Sequence, residues 1–147
     1  MTQPVDVLLT ICSRQQFRDE KPEITRLITD GTMRRDGQTV ELAYEESELT
    51  GLSGTKTTFR MTPQRVELER TGKVTSRMVF VPGQEDQSLY DMGFGALMIA
   101  VRAEKVRVKF NDDGGSARVS YAIGIEGQHA GRIDYRIDVQ RKPPTAK

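Results

Sequence analysis

Along most of the chain apolar side chains return at every second residue, the period of a strand with one buried face. Ile133, Tyr135, Ile137 and Val139 alternate with Arg132, Asp134, Arg136 and Asp138. Val119, Tyr121, Ile123 and Ile125 alternate with small or polar neighbours. Val106, Val108 and Phe110 alternate with Lys105, Arg107 and Lys109. Turn residues separate these runs: Asn111-Asp-Asp-Gly-Gly115 and Glu126-Gly-Gln-His-Ala-Gly131. Glycine and Asn/Asp adopt the positive φ that such turns require. The three runs form a meander.

Upstream, Val5, Val7, Leu9 and Ile11 set one face of a first strand, and Ile24 to Arg35 reads as a second. Gly31 inside it marks a bulge or a close approach of two backbones. Asp36-Gly37 turns the chain into Val40, Leu42 and Tyr44. Thr55, Thr57, Phe59 and Met61 follow, then Pro63-Gln64, then Val66 to Arg70, a turn at Thr71-Gly72, and Val74 to Val81 stopped by Pro82-Gly83. Ala96 to Val101 suits either a buried strand or a helix turn, and we read it as strand. Counted as a separate strand from Val106 to Phe110, it brings the total to about ten. Short strands at such regular spacing imply an all-β fold, a single antiparallel up-and-down barrel. One domain is expected over residues 1–140, with 141–147 as a disordered tail.

Composition then narrows the chemistry. The 147 residues hold one cysteine and one histidine, which excludes a disulfide framework and a Cys- or His-rich metal site. Neither a metal nor a cofactor is expected. Twenty-two basic against 21 acidic residues leave a net charge of +1, so bulk charge points to neither nucleic acid nor membrane surface. The N-terminus lacks the basic segment and apolar core of a signal peptide, and no apolar run approaches the ~18 residues of a membrane span. A cytoplasmic location is expected.

Several local signals fall short of a motif. Gly51-Leu-Ser-Gly54-Thr-Lys56-Thr57 lacks the phosphate-loop spacing and leads into a strand. Gly93-Phe-Gly95 has no third glycine, and Asp112-Asp113-Gly114 lacks the remaining calcium ligands. Cys12 reads as a small buried thiol, His129 as a solvated turn residue, and the Lys105, Arg107, Lys109 stripe as a solvated face that discourages edge pairing.

The informative positions are polar residues at inward parity. Arg70 falls on the face of Val66 and Leu68, and Glu46 on that of Val40, Leu42 and Tyr44. Arg and Glu are rarely enclosed without partners, so the two form a structural polar cluster or anchor a ligand. Tyr121 and Tyr135 share inward parity on neighbouring strands, and each hydroxyl needs a partner. Tyr44, Glu46, Arg70, Tyr90, Tyr121 and Tyr135 are the candidate ligand contacts.

The ordered set Tyr44-x-Glu46, Thr55-Lys-Thr-Thr58, Val66-x-Leu68-x-Arg70-x-Gly72, Phe80-x-x-Gly83, Tyr90-x-x-x-Phe94-Gly95 and Val119-Ser-Tyr121 resembles the YwiB-like family of small bacterial proteins. One departure is Met92-Gly93, where the family usually has Thr-Pro. The resemblance implies a calycin-like barrel, lipocalin-like in outline, although the chain has no tryptophan for the lipocalin Gly-x-Trp. It further implies a small, largely apolar molecule held in the interior. The leading expectation is therefore a non-enzymatic small-molecule binder. The alternative is an interaction or homodimerising module with a side-chain-filled barrel, its outer face thinly covered at Ser120, Ala122 and Gly124. A hydrolase using Glu46 with Arg70 or Tyr90 ranks third, and no catalytic residue is assigned.

Overall fold

A computed structural model describes residues 3–47 and 52–143. Ten strands make one antiparallel sheet: β1 (Val5–Phe17), β2 (Glu23–Asp36), β3 (Thr39–Glu45), β4 (Thr55–Thr62), β5 (Arg65–Gly72), β6 (Ser76–Phe80), β7 (Glu85–Asp91), β8 (Ala96–Asn111), β9 (Gly114–Ile125) and β10 (Gln128–Arg141). Their order is β6-β5-β4-β3-β2-β1-β10-β9-β8-β7, so sequence neighbours pair from β1 to β6 and from β7 to β10, β10 returns to β1, and β6 and β7 stand at the two ends. That return, from Val7 opposite Arg141 to Phe17 opposite Gly131, rolls the sheet up.

Closure is nearly complete. β6 and β7 meet through paired bonds between Thr75 and Asp91, each 2.8 Å. The Asp86 carboxylate accepts from the Val79 amide at 2.9 Å, and the Gly83 amide donates to the Ala103 carbonyl. These contacts satisfy edge groups that an open sheet would leave unpaired.

The hairpins follow the turn chemistry, and the period-two faces point as expected. Val7, Leu9, Leu42, Met61, Val66 and Ile137 are among the fully enclosed side chains. Two errors in strand assignment cancel in the total of ten. Residues 96–111 form one strand, in which a bulge between Ala103 and Lys105 shifts the inward parity from Val101 and Ala103 to Val106 and Val108. The extra strand is β7, whose outward Glu85 and Gln87 and inward Asp86 and Ser88 carry no apolar alternation. Cys12 is also corrected: it is half-buried on the outer face, because its parity on β1 is opposite to that of Ile11 and Ser13. The C-terminal boundary lies later than expected, since Arg141 completes β10 and the Lys142 amide donates to the Asp6 carbonyl. Residues 144–147 of the expected tail, and Gly51, lie outside the described residues.

One irregularity opens the wall. β1 pairs with β2 from Glu23 to Met33, but β3 pairs with β2 only from Thr32 to Asp36. Beyond Thr32 and Ala43 the two strands separate. Gly31 stands at that fork: a Cβ there would lie 2.6 Å from the Ala43 carbonyl oxygen and 2.7 Å from Leu9 Cδ1. Gly31→Ala is therefore expected to cost about 1–3 kcal/mol in urea unfolding, because backbone must move to admit the methyl group. Gly95→Ala, where a Cβ meets nothing within 4 Å, is the control and should stay within about 0.5 kcal/mol of wild type.

Candidate functional site

The fork between β2 and β3 leaves a cleft of about 380 Å³ at one end of the barrel. β1 contributes Ile11, Ser13 and Gln15, continuing the inward parity of Val7 and Leu9 into polar residues. The unpaired half of β2 contributes Glu23, Thr25 and Leu27. Tyr44 and Glu46 reach it from β3 and the residues just after it, Arg70 from β5 and Tyr135 from β10. The volume lies within the 300–1,000 Å³ range of small-molecule sites.

Deeper in the barrel the picture is different. Phe59, Leu68, Phe80, Val119, Tyr121 and Ile137 are among the side chains around an apolar void of only about 10 Å³. That is room for about one water. The Phe80 and Tyr121 rings lie 4.6 Å apart and Phe59 and Tyr135 5.8 Å apart, spacings typical of packed aromatic pairs. Side chains thus fill this part of the interior, and the usable space is at the mouth.

Four of the six expected site residues converge on the mouth. Glu46 is buried; its Oε2 accepts from the Thr57 hydroxyl and lies 3.9 Å from Arg70 Nε. The Tyr135 hydroxyl donates toward Tyr44, whose own hydroxyl donates toward Glu46. The other two lie elsewhere. Tyr121 lines the small apolar void, and Tyr90 packs half-buried on β7. Tyr90 is not brought to the cleft because β7 lies across the barrel seam from it in the sheet order.

Thr57, Ser13, Gln15 and Thr25 were not singled out in sequence. Their signal was present as polar residues at inward parity on β4, β1 and β2, where each looked like an ordinary strand residue. Ser120, Ala122 and Gly124 do face outward, yet Ser120 is buried and its hydroxyl donates to Asp134 at 2.6 Å. Ala122 and Gly124 are half-buried and line a shallow surface concavity beside Ala100 and Arg102. Lys56 and His129 are exposed, but their turn placement is corrected: Lys56 stands in β4 and His129 in β10, because the hairpin turn is confined to Glu126 and Gly127.

The electrostatics of the cluster are those of an enclosed acid beside phenols. Burial raises the Tyr44 hydroxyl well above its usual pKa, and the Glu46 charge adds to this against a smaller opposing effect of Arg70. Burial likewise raises Tyr135 and Tyr121. A folded-state pKa above the unfolded value means that the folded chain holds its protons longer. The stability from these phenols is full below about pH 10 and is lost as pH rises beyond it. In an alkaline titration, the phenolate absorbance of Tyr44, Tyr121 and Tyr135 should therefore appear together with loss of native circular dichroism. Tyr44→Phe should flatten the fall in stability above pH 10; an unchanged fall would remove Tyr44 from the cause.

Among curated proteins none matches this chain. The crystal structure of the ywiB protein from Bacillus subtilis is similar, with a TM-score of 0.80 at 22% identity, covering 97% of this chain and 96% of that one. This likeness corroborates the ten-strand, nearly closed barrel. A family model matches residues 9–137, from the inward Leu9 on β1 to the inward Ile137 on β10, and so includes every residue that lines the cleft. The chain therefore belongs to the family described as Domain of unknown function (DUF1934), in keeping with its YwiB-like sequence pattern.

Proposed function

We propose that this barrel binds a small organic molecule in the cleft between β2 and β3. The ligand has an apolar body against Ile11, Leu27 and Leu52, and an anionic or strongly accepting head against Arg70. The observation that carries this reading is the state of Arg70. Its guanidinium is largely enclosed, its sole ion-pair contact among the described residues is the 3.9 Å approach to Glu46, and its Nε is buried without a hydrogen-bond partner. An enclosed guanidinium with so few acceptors is costly, and a carboxylate or similar group in the cleft would offset that cost through charge-assisted hydrogen bonds. The Tyr135–Tyr44–Glu46 chain supports the same reading, since Tyr44 and Thr57 engage the Glu46 carboxylate as well as Arg70 does.

The interior void of about 10 Å³ supports the mouth of the barrel, rather than its centre, as the place for the ligand. No reacting group is required, and the protein is read as a binder rather than an enzyme.

Native mass spectrometry of gently purified protein, compared with a denatured sample, tests the proposal. The expected result is an extra mass that disappears on denaturation and is missing from Arg70→Met, while Tyr90→Phe retains it. Arg70→Met should remain folded with a modest loss of stability. A bare wild-type chain, together with a loss of roughly 3–5 kcal/mol in Arg70→Met, would make Arg70 and Glu46 a purely structural buried pair and overturn the proposal.

A further inference from the structure

The net charge of +1 hides an uneven distribution that only strand register reveals. On the outer wall made by β8, β9, β10, β1 and β2, Arg107 lies opposite Arg118, Arg118 opposite Arg136, Arg136 opposite Cys12, and Cys12 opposite Arg26. Four arginines on five adjacent strands thus form one transverse row, all exposed. At about 4.8 Å per strand the row is ~19 Å long. Lys105 and Lys109 flank Arg107 two residues to either side, and Arg14 flanks Cys12 on β1.

Little neutralises it. Arg136 pairs with Asp138 at 3.1 Å, with both side chains about half exposed. Asp134 accepts the Ser120 hydroxyl and stands opposite Arg14 in the register, so it offsets Arg14 rather than the row itself. Among the described residues Lys105, Arg107, Lys109, Arg118 and Arg26 form no ion pair. Like charges directly opposite on neighbouring strands destabilise a sheet, so the Arg107, Arg118, Arg136 arrangement costs stability in the free protein. The opposite wall differs, because there Arg60 and Arg77 meet Glu41, Glu67 and Glu69 in ion pairs.

We infer that this wall is a docking surface for a nucleic-acid duplex, held through its phosphates. The planar guanidinium fork matches phosphate oxygens bidentately, and the row sets several such forks side by side along the curved wall. No aromatic side chain stands in these rows, which leaves no stacking platform for a single strand. Exposed large apolar side chains, which a membrane-surface element would insert, flank Arg26 at Ile24 and Ile28 and stand at Leu8 on β1, but none flanks Arg107, Arg118 or Arg136 on β8 to β10, where most of the charge lies. Binding of this kind is independent of sequence and distinct from the cleft.

The test uses fluorescence anisotropy with a labelled duplex of about 20 base pairs, two helical turns, between about 50 and 200 mM salt. Binding at low salt is expected, with log K falling against log salt at a slope of about −3 to −4, as four phosphate contacts imply. Arg118→Glu places an acid between Arg107 and Arg136, so it should melt no lower than wild type. Its affinity should nevertheless fall at least tenfold, and the salt slope should lose about one contact or more. Lys56→Glu on the opposite wall should bind like wild type. Failure to bind at low salt, or binding indifferent to Arg118→Glu, overturns the inference. So does equal, equally Arg118-dependent binding to phosphatidylserine vesicles, which would assign the wall to lipid, or a preference for single strands.

Discussion

Every side chain at inward parity on ten strands must share one enclosed space, and this constraint governs the molecule. Where the inward residues are Leu, Met, Phe, Val and Ile, they interdigitate at the density of a protein core and leave almost no void. Where inward parity continues into Ser13, Gln15, Thr25, Glu46, Thr57 and Arg70, polar atoms must find partners inside the wall. Packing alone cannot satisfy them. At the polar end β2 separates from β3, which leaves open the groups that a closed sheet would strand.

Gly31 makes that separation abrupt. With no side chain, it lets β2 pass against the Ala43 carbonyl and Leu9 at the last point where the strands remain together. The ladder ends at the adjoining pair, Thr32 and Ala43, and beyond Gly31 the cleft begins. The Tyr135, Tyr44 and Glu46 donors then hold the acid in place, while Thr57 supports it from β4. Arg70 lies beside them with its Nε buried and without a hydrogen-bond partner.

The outside obeys a different rule. Outward residues do not compete for space, so their charges are arranged by register alone. On one wall register sets acids against bases; on the other it sets arginine against arginine. A bulge at Ala103/Lys105 keeps Lys105, Arg107 and Lys109 on the outside after the parity of β8 has changed.

The sequence by itself determined the all-β class, most hairpins and the inward direction of Tyr44, Glu46, Arg70, Tyr121 and Tyr135, because strand alternation is local and glycine- and proline-bearing turns limit each run. It missed β7, whose inward Asp86 and Ser88 leave no hydrophobic period, and it divided β8 because a single bulged residue inverts parity. Only the tertiary structure decided which inward residues meet. Tyr121 and Tyr135 share a face and adjacent strands and both border the packed void, yet only Tyr135 also reaches the cleft. Depth along the barrel and the fork between β2 and β3 depend on pairing between strands, which no alternation within one strand encodes. The arginine row arises in the same way: its members are up to 110 positions apart in sequence, from Arg26 to Arg136, and become neighbours only when β10 closes against β1.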